Sequence, residues 1–123
     1  MPVQVEKSNS IALASELTRL NMRHYYQLRN IAWDQKTYQK NWSQFENFDV
    51  KYQGDWVGIL RFSSDESALY IRDLQILPKY QNLGIGYSCL IYALEKAKSH
   101  SLSRLRLLVF SENRALNLYK RFG

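Results

Sequence analysis

The first half of the chain carries apolar residues at helical spacing. In SIALASELTRLNMRHYYQL, Ile11, Ala14 and Leu17 recur at intervals of three, close to helical spacing, and Ser10 stands where a helix cap is expected. A second helix is predicted over WDQKTYQKNWSQF, and a short strand, VQV, is predicted before both. The second helix carries aromatic residues that share much of one face: Trp33, Tyr38, Trp42 and Phe45.

The pattern changes to that of strands from Phe48. Two β-prone runs in FDVKYQGDWVGILRFSS flank a hairpin signal, Gln53-Gly54-Asp55, and Asn47 or Asp49 is expected to open the first run. The following strand, ALYIRDLQIL, is predicted to stop at Pro78, which has no N–H to donate to a sheet.

Two glycines separate this strand from the last part of the chain. Beyond them, GYSCLIYALEKAKSH is predicted as a helix, RLRLLVF as a strand buried on both faces, and ENRALNLYKRF as a final helix. The order is strand, two helices, three strands, helix, strand, helix. This order predicts a single α/β domain with a mixed central sheet flanked by helices.

Composition restricts the class of protein. The chain has 123 residues, 46% of them hydrophobic and 23% charged, as in an ordinary soluble globular domain. No apolar run approaches the roughly 18 to 20 residues that span a bilayer, and MPVQVEKSNS lacks the apolar core of a signal peptide, so a cytoplasmic protein without membrane contact is expected. One cysteine and two histidines argue against a metal site.

The net charge of +6 predicts attraction to polyanions, and much of the positive charge lies between Lys96 and Arg121. Two interpretations stay open. The basic residues form either a site for an anionic ligand or a solvated helix face with the adjoining strand end.

The glycine turn joins a strand to a helix N-terminus, where successive backbone N–H groups bind phosphate. Gly84 and Gly86 allow a bulky anion to approach the main chain. A Walker loop is excluded because Tyr87 and Ser88 follow the second glycine. A dinucleotide fingerprint fits poorly because Cys89 replaces its third small residue and no acidic residue follows at the required distance.

A third phosphate loop matches this stretch. Gln81-Asn82-Leu83-Gly84-Ile85-Gly86 resembles the acetyl-coenzyme A signature Q/R-x-x-G-x-G/A of the GNAT N-acetyltransferases. Downstream, NRALNLYKRFG is similar to that family's N-x-x-A-x-x-L-Y-x-x-x-G, with its alanine at position 115 rather than 116. The resemblance extends over about residues 56 to 123. It implies the GNAT fold, and acetyl-coenzyme A as cosubstrate with no metal.

The resemblance also implies roles for individual residues in binding the cosubstrate. Main-chain groups of Leu74 and Ile76 would pair with the pantetheine arm, and the Leu74 N–H would polarise the thioester carbonyl. Asn113 matches an asparagine that contacts the cofactor, and it is equally a good cap for the last helix. The pyrophosphate would be held by the backbone of the loop, with a hydroxyl from the following helix: Gln81, Asn82, Leu83, Gly84, Ile85, Gly86, Tyr87 and Ser88.

For catalysis, Tyr119 matches the family tyrosine that protonates the departing thiolate, although packing also explains a tyrosine there. Asp73 aligns with an acidic residue of the polyamine-acetylating branch. It is expected to act as the general base, to bind a cationic acceptor, or to pair with Arg72 or another surface charge. Tyr70 stands where histone-type members have a glutamate. The acceptor pocket is predicted between the first two helices and the hairpin, with these candidates: Tyr25, Tyr26, Trp33, Tyr38 and Trp42.

The function implied by the resemblance is acetyl transfer from acetyl-coenzyme A to a primary amine of a small molecule or protein, directly within a ternary complex. Two alternatives remain: a non-catalytic acyl-coenzyme A-binding regulatory module and a basic nucleic-acid-binding domain. Family members usually continue with a Phe and two further strands beyond the point where this chain stops, at Gly123. A C-terminally short domain over residues 1–123 is therefore expected. Either the sequence is a truncated copy, or a partner molecule supplies the missing wall, for example by strand exchange in a homodimer, which would also cover the sheet edge.

Overall fold

A computed structural model describes residues 3–107, and within them it forms one mixed sheet with helices on both faces. The predicted final helix, with Asn113 and Tyr119, lies outside the described residues, as does the end of the strand before it. The elements are β1 (Val3–Lys7), α1 (Ile11–Leu28), α2 (Gln35–Trp42), β2 (Glu46–Tyr52), β3 (Asp55–Ser64), β4 (Ala68–Ile76), a 3-10 turn (Pro78–Tyr80), α3 (Ile85–Ser99) and β5 (Arg104–Leu107).

The described strands lie in the order β1-β2-β3-β4-β5. The pairs from β1 to β4 are antiparallel, whereas β5 runs parallel to β4 and is reached by a crossover through α3. The mixed α/β architecture is as predicted.

Local sequence signals explain several of the element boundaries. Gln53 and Gly54 have φ of 54° and 85°, both positive, as a two-residue hairpin turn requires. The Asp34 side chain caps α2 by accepting from the Thr37 N–H at 3.1 Å. Ser10 does precede α1, but its side chain makes no capping bond.

Two of the predictions about strands are wrong. β2 begins at Glu46, so Asn47 and Asp49 lie inside the strand rather than at its opening, since pairing with β1 and β3 extends it. The described part of β5 is not buried on both faces: its leucines are half-buried and its arginines, Arg104 and Arg106, are exposed. The apolar run in the sequence begins only after these arginines.

Alternation along β3 divides the core between the two faces of the sheet. Leu60 and Phe62 pack on one face with Ile85 and Leu90 of α3. Ile59 packs with residues of α1 and α2 on the other. No helix within residues 3–107 is long and apolar enough to cross a membrane.

A β-bulge changes the register between β3 and β4. Phe62 pairs with Ile71, whereas Arg61 pairs with Asp73, so Arg72 is the extra residue. The bulge therefore places a carboxylate directly opposite an arginine. No sequence signal predicted it.

Candidate functional site

The turn between β4 and α3 lies on the surface, over a buried anchor. Residues 81–84 are exposed, whereas Ile85 is only 2% exposed and packs into the core. Gly84 is the residue before α3 and has φ of 85°, the left-handed conformation that glycine adopts readily. A Cβ added to Gly84 would meet no atom of the described residues within 4 Å. Backbone conformation, rather than local crowding, is therefore what favours glycine here.

This turn presents backbone donors at the start of α3. The Ser88 N–H donates to the Gly84 carbonyl at 3.1 Å, which is the first bond of the helix. The N–H groups of Ile85 and Gly86 precede it, and no protein acceptor for them is found within residues 3–107. An anionic group placed there would receive these hydrogen bonds and the favourable end of the helix dipole. The Ser88 hydroxyl donates to the Gly84 carbonyl at 3.3 Å.

The end of β4 has a free main-chain edge within the described residues. The Leu77 N–H donates to the Val57 carbonyl at 2.8 Å, toward β3. Because main-chain groups alternate along a strand, those of Ile76 and Leu74 point the other way, toward the side of β5. Described pairing with β5 covers only Ala68–Ile71. Within the described residues, Leu74 and Ile76 therefore lie on a part of the β4 edge that β5 does not pair, and their pairing with pantetheine stays a prediction.

One group on this edge is already engaged. The Ile76 carbonyl accepts a hydrogen bond from Asn21 Nδ2 at 2.9 Å and another from Gln81 Nε2 at 3.1 Å. Asn21 also donates to Gln75 Oε1 at 3.1 Å. The strand end, the glycine turn and α1 are therefore joined at one oxygen atom.

Asp73 lies in a buried polar cluster between β4 and α1. Its carboxylate accepts from Thr18 Oγ1 at 3.1 Å and from Gln75 Nε2 at 2.8 Å, and it lies 3.8 Å from Arg61 Nη1. Burial raises the pKa of Asp73, while Gln75, Arg61, Thr18 and the backbone N–H of Leu74 act in the opposite direction. The predicted pairing of this carboxylate with Arg72 is wrong.

The charged partner of Asp73 is instead Arg61, whose side chain is 4% exposed. Arg72 is exposed, and its Nε donates to Ser63 Oγ at 2.7 Å. The bulge accounts for this arrangement, because it turns Arg72 out of the ladder and sets Asp73 across from Arg61.

Most of the aromatic residues predicted to line an acceptor pocket form a row along α1 and α2. Trp33 lies between Tyr26 and Tyr38, with centroid distances of 6.2 and 5.4 Å, and Tyr38 is followed by Trp42 at 6.4 Å. Tyr38 is buried and belongs to the core on this face. Tyr25 instead contacts His24, edge to face.

The arginine beneath this row was not predicted as a functional residue. The Arg61 guanidinium lies 4.3 Å from the Tyr38 ring centroid and 5.0 Å from that of Phe45. A lone arginine within the apolar run WVGILRF was a usable signal, because arginine is rarely buried without a partner. Thr18, Asn21 and Gln75 gave no such signal, because ordinary polar residues in a helix or strand carry no motif.

No group of three or more His, Cys, Asp or Glu side chains in the described part of the chain is arranged to hold a metal ion.

The predicted cosubstrate residues from Leu74 to Ser88 meet at the end of β4 and the start of α3.

Comparison with known proteins supports the fold and the family. A GNAT-family acetyltransferase from Elizabethkingia anophelis, with acetyl-CoA bound, has a TM-score of 0.76 and 19% identity, covering 98% of this chain and 74% of the other. An IAA acetyltransferase from Bacillus cereus has a TM-score of 0.76 and 20% identity, covering 99% and 76%. The PaiA N-acetyltransferase from Thermoplasma acidophilum, in complex with coenzyme A, has a TM-score of 0.75 and 14% identity, covering 100% and 89%.

At these identities the structural likeness shows a shared fold. A search of curated proteins gives no match. The family model "Acetyltransferase (GNAT) family" matches residues 14–123, which is most of the chain. The chain therefore belongs to the GNAT family of acetyltransferases.

Proposed function

We propose that this protein transfers the acetyl group of acetyl-coenzyme A to a primary amine, directly within a ternary complex. The observation that carries the proposal is the junction of β4 and α3. There, a strand edge that β5 does not pair leads into a helix N-terminus where the N–H groups of Ile85 and Gly86 have no protein acceptor among residues 3–107. The family match over residues 14–123 supports the same function.

In the proposed complex, the pyrophosphate lies against the backbone from Gln81 to Tyr87, near Ser88, and the pantetheine arm runs along Leu74 and Ile76. A carbonyl oxygen has two lone pairs, and both of those on Ile76 are engaged by side chains. A pantetheine amide that donates to this oxygen therefore replaces one of them. We expect Gln81 to yield, because it is exposed whereas Asn21 is partly buried.

The reaction forms a C–N bond and breaks a C–S bond. The neutral amine attacks the thioester carbonyl carbon, and the developing oxyanion receives the Leu74 N–H, which exchanges its interaction with the Asp73 carboxylate for this one. Sulfur leaves as a thiolate and takes a proton from Tyr119, while the nitrogen loses its extra proton to Asp73. The pKa of Asp73 is raised, mainly by burial, which makes this carboxylate a stronger base than an exposed aspartate.

Acetyl transfer is tested by following free thiol release from acetyl-coenzyme A in the presence of polyamines, amino acids and peptides. We expect release that depends on the amine. Replacement of Tyr119 by Phe should lower kcat by about 10²- to 10⁴-fold, the range for loss of a general acid. Asn113 is tested by Asn113→Ala, for which a higher KM for acetyl-coenzyme A is expected.

Saturable binding of acetyl-coenzyme A with no release for any amine would overturn the proposal in favour of a regulatory module. Homodimer formation stays a prediction, which light scattering on the purified chain tests directly.

A further inference from the structure

The central strand β3 carries a buried charge that the proposed reaction does not use. Arg61 is 3% exposed and points into the face of the sheet that α1 and α2 cover. Burying a guanidinium removes it from water, and this is tolerated only where the charge is compensated. The compensating group is Asp73, which the proposed function names as the proton acceptor.

A second side chain, besides Asp73, holds the guanidinium in place. Arg61 Nε donates to Asn47 Oδ1 at 2.8 Å. The Asn47 side chain in turn donates to the carbonyls of Trp42 and Phe45 at 2.7 and 3.1 Å. Backbone carbonyls at and after the end of α2 thus orient the Asn47 side chain, and Asn47 in turn orients the Arg61 guanidinium. The ring of Tyr38 covers the guanidinium at 4.3 Å.

The contact with the carboxylate is electrostatic rather than a close hydrogen bond. Nη1 of Arg61 lies 3.8 Å from Oδ2 of Asp73. Arg61 Nη2 and the Tyr38 hydroxyl are both buried without a hydrogen-bond partner among the described residues. Two hydrogen-bond donors of the cluster are therefore unused among the described residues. Hydrogen bonding alone does not explain why Arg61 and Asp73 lie side by side.

Arg61 is the cation that lowers the pKa of Asp73, and it lies 3.8 Å from the carboxylate. From α1, Thr18 and Tyr26 face the carboxylate; from α2, Tyr38 does. Gln75 on β4 completes the surroundings. The two tyrosines are neutral near pH 7, and their own pKa values are raised, chiefly by burial.

We propose that Arg61 is a positioning residue for acetyl transfer, which orients the Asp73 carboxylate and keeps it ionised to receive the proton of the acceptor amine. The inference rests on the proposed role of Asp73 as the base. Arg61 itself does not touch the substrate. Its effect is exerted through one carboxylate across the bulged pair of β3 and β4.

The test compares Arg61→Gln, which removes the charge, with Arg61→Lys, which keeps it. Asp73 is titrated directly by ¹³C NMR of its carboxyl carbon, identified as the signal that Asp73→Asn removes. We expect Arg61→Gln to raise the pKa of Asp73 by about one unit or more, and Arg61→Lys to leave it near the wild-type value. The acid limb of the pH profile of kcat/KM should move to higher pH in Arg61→Gln, together with the pKa of Asp73. An unchanged titration in Arg61→Gln would overturn the proposal.

The two proposals fail in different ways. Full activity of Asp73→Asn would show that Asp73 is not the base, whereas the NMR titration still reports whether Arg61 controls its ionisation. If Arg61→Gln does not fold, Asn47→Leu is used instead. This substitution removes the hydrogen bond between Asn47 and Arg61 Nε and leaves the arginine, with its positive charge, in place. We then expect a lower kcat with an unchanged KM for acetyl-coenzyme A, and an unchanged kcat would contradict the positioning role.

Discussion

Asn21, in the middle of the first helix, donates its side-chain amide to the main-chain carbonyl of Ile76 at 2.9 Å. The same oxygen accepts from Gln81, the first residue of the acetyl-coenzyme A signature. The helix expected to border the acceptor amine is thereby connected to the turn expected to hold the pyrophosphate. The connection runs through the strand on which the thioester would lie.

Replacement of Asn21 by Ala should therefore affect both stability and cosubstrate binding. It removes hydrogen bonds to Ile76 and Gln75, each worth about 0.5 to 1.5 kcal/mol, so urea unfolding should show a loss of about 1 to 3 kcal/mol. We also expect weaker binding of acetyl-coenzyme A by calorimetry. Leu20→Ala is the matched control, because Leu20 is 52% exposed on the same helix. Equal effects of the two substitutions would contradict the role given to Asn21.

Gly58 is required where β3 passes the end of β4. A Cβ at this position would lie 2.2 Å from the Gln75 carbonyl oxygen and 2.9 Å from a methyl carbon of Ile76. Gly58→Ala must push β4 away, and overpacking of this kind costs about 1 to 3 kcal/mol. We expect that loss in urea unfolding, together with reduced binding of acetyl-coenzyme A.

Gly54→Asn serves as the control for Gly58→Ala. Gly54 has φ of 85° with no atom within 4 Å of an added Cβ, and asparagine tolerates that conformation in a hairpin turn. The left-handed φ still strains any side chain, so Gly54→Asn should lose about 1 kcal/mol through the backbone alone, and its affinity for acetyl-coenzyme A should equal that of wild type. Equal affinities of Gly58→Ala and Gly54→Asn for acetyl-coenzyme A would show that Gly58→Ala does not displace the end of β4.

Asp65 and Tyr70 should make stability depend on acid pH. The Tyr70 hydroxyl donates to Asp65 Oδ2 at 2.6 Å, and with the N–H groups of Ser67 and Ala68 it lowers the pKa of Asp65 from 3.8 to about 2. Because the folded pKa lies below the unfolded one, the stabilisation is present above 3.8 and is lost as pH falls through about 2. Tyr70→Phe should therefore be less stable than wild type near neutral pH. The difference in the free energy of unfolding between the two proteins should become smaller as the pH is lowered.

Urea midpoints measured along this pH range test the expectation. Tyr52→Phe is the control, since it removes a hydroxyl that has no carboxylate partner among the described residues. Its difference from wild type should not vary with pH over the same range. A constant gap for Tyr70→Phe would refute the assignment of the shifted pKa to the Tyr70 hydrogen bond.

Sequence alone predicted the features that short-range signals specify. Gln53-Gly54-Asp55 predicted a hairpin because Gly54 readily adopts the positive φ of such a turn, and Gly84 predicted the turn before α3 for the same reason. The strand, turn and helix around Gly84 also carried the family resemblance. These features depend on neighbouring residues, so they can be recognised in a single sequence.

The partner of Asp73 could not be predicted in this way. Arg72 is adjacent in sequence, and only the bulge between β3 and β4 shows that Arg61 faces the carboxylate instead. Asn21 is likewise separated from Ile76 by 55 positions, and nothing in the helical pattern of α1 marks it. Such contacts arise from strand register and helix packing, which local propensity does not determine.

The central claim is that the turn at Gly84 holds the phosphates of acetyl-coenzyme A, and two nearly isosteric substitutions test it most directly. Asparagine and aspartate both tolerate positive φ, and open space surrounds the Cβ position, so Gly84→Asn and Gly84→Asp differ chiefly in charge. Calorimetric titration should show binding by wild type and Gly84→Asn, with an affinity at least about tenfold lower for Gly84→Asp, as expected for a carboxylate beside a phosphate. Equal affinities of the two variants, or no binding by the folded wild type, would contradict the claim.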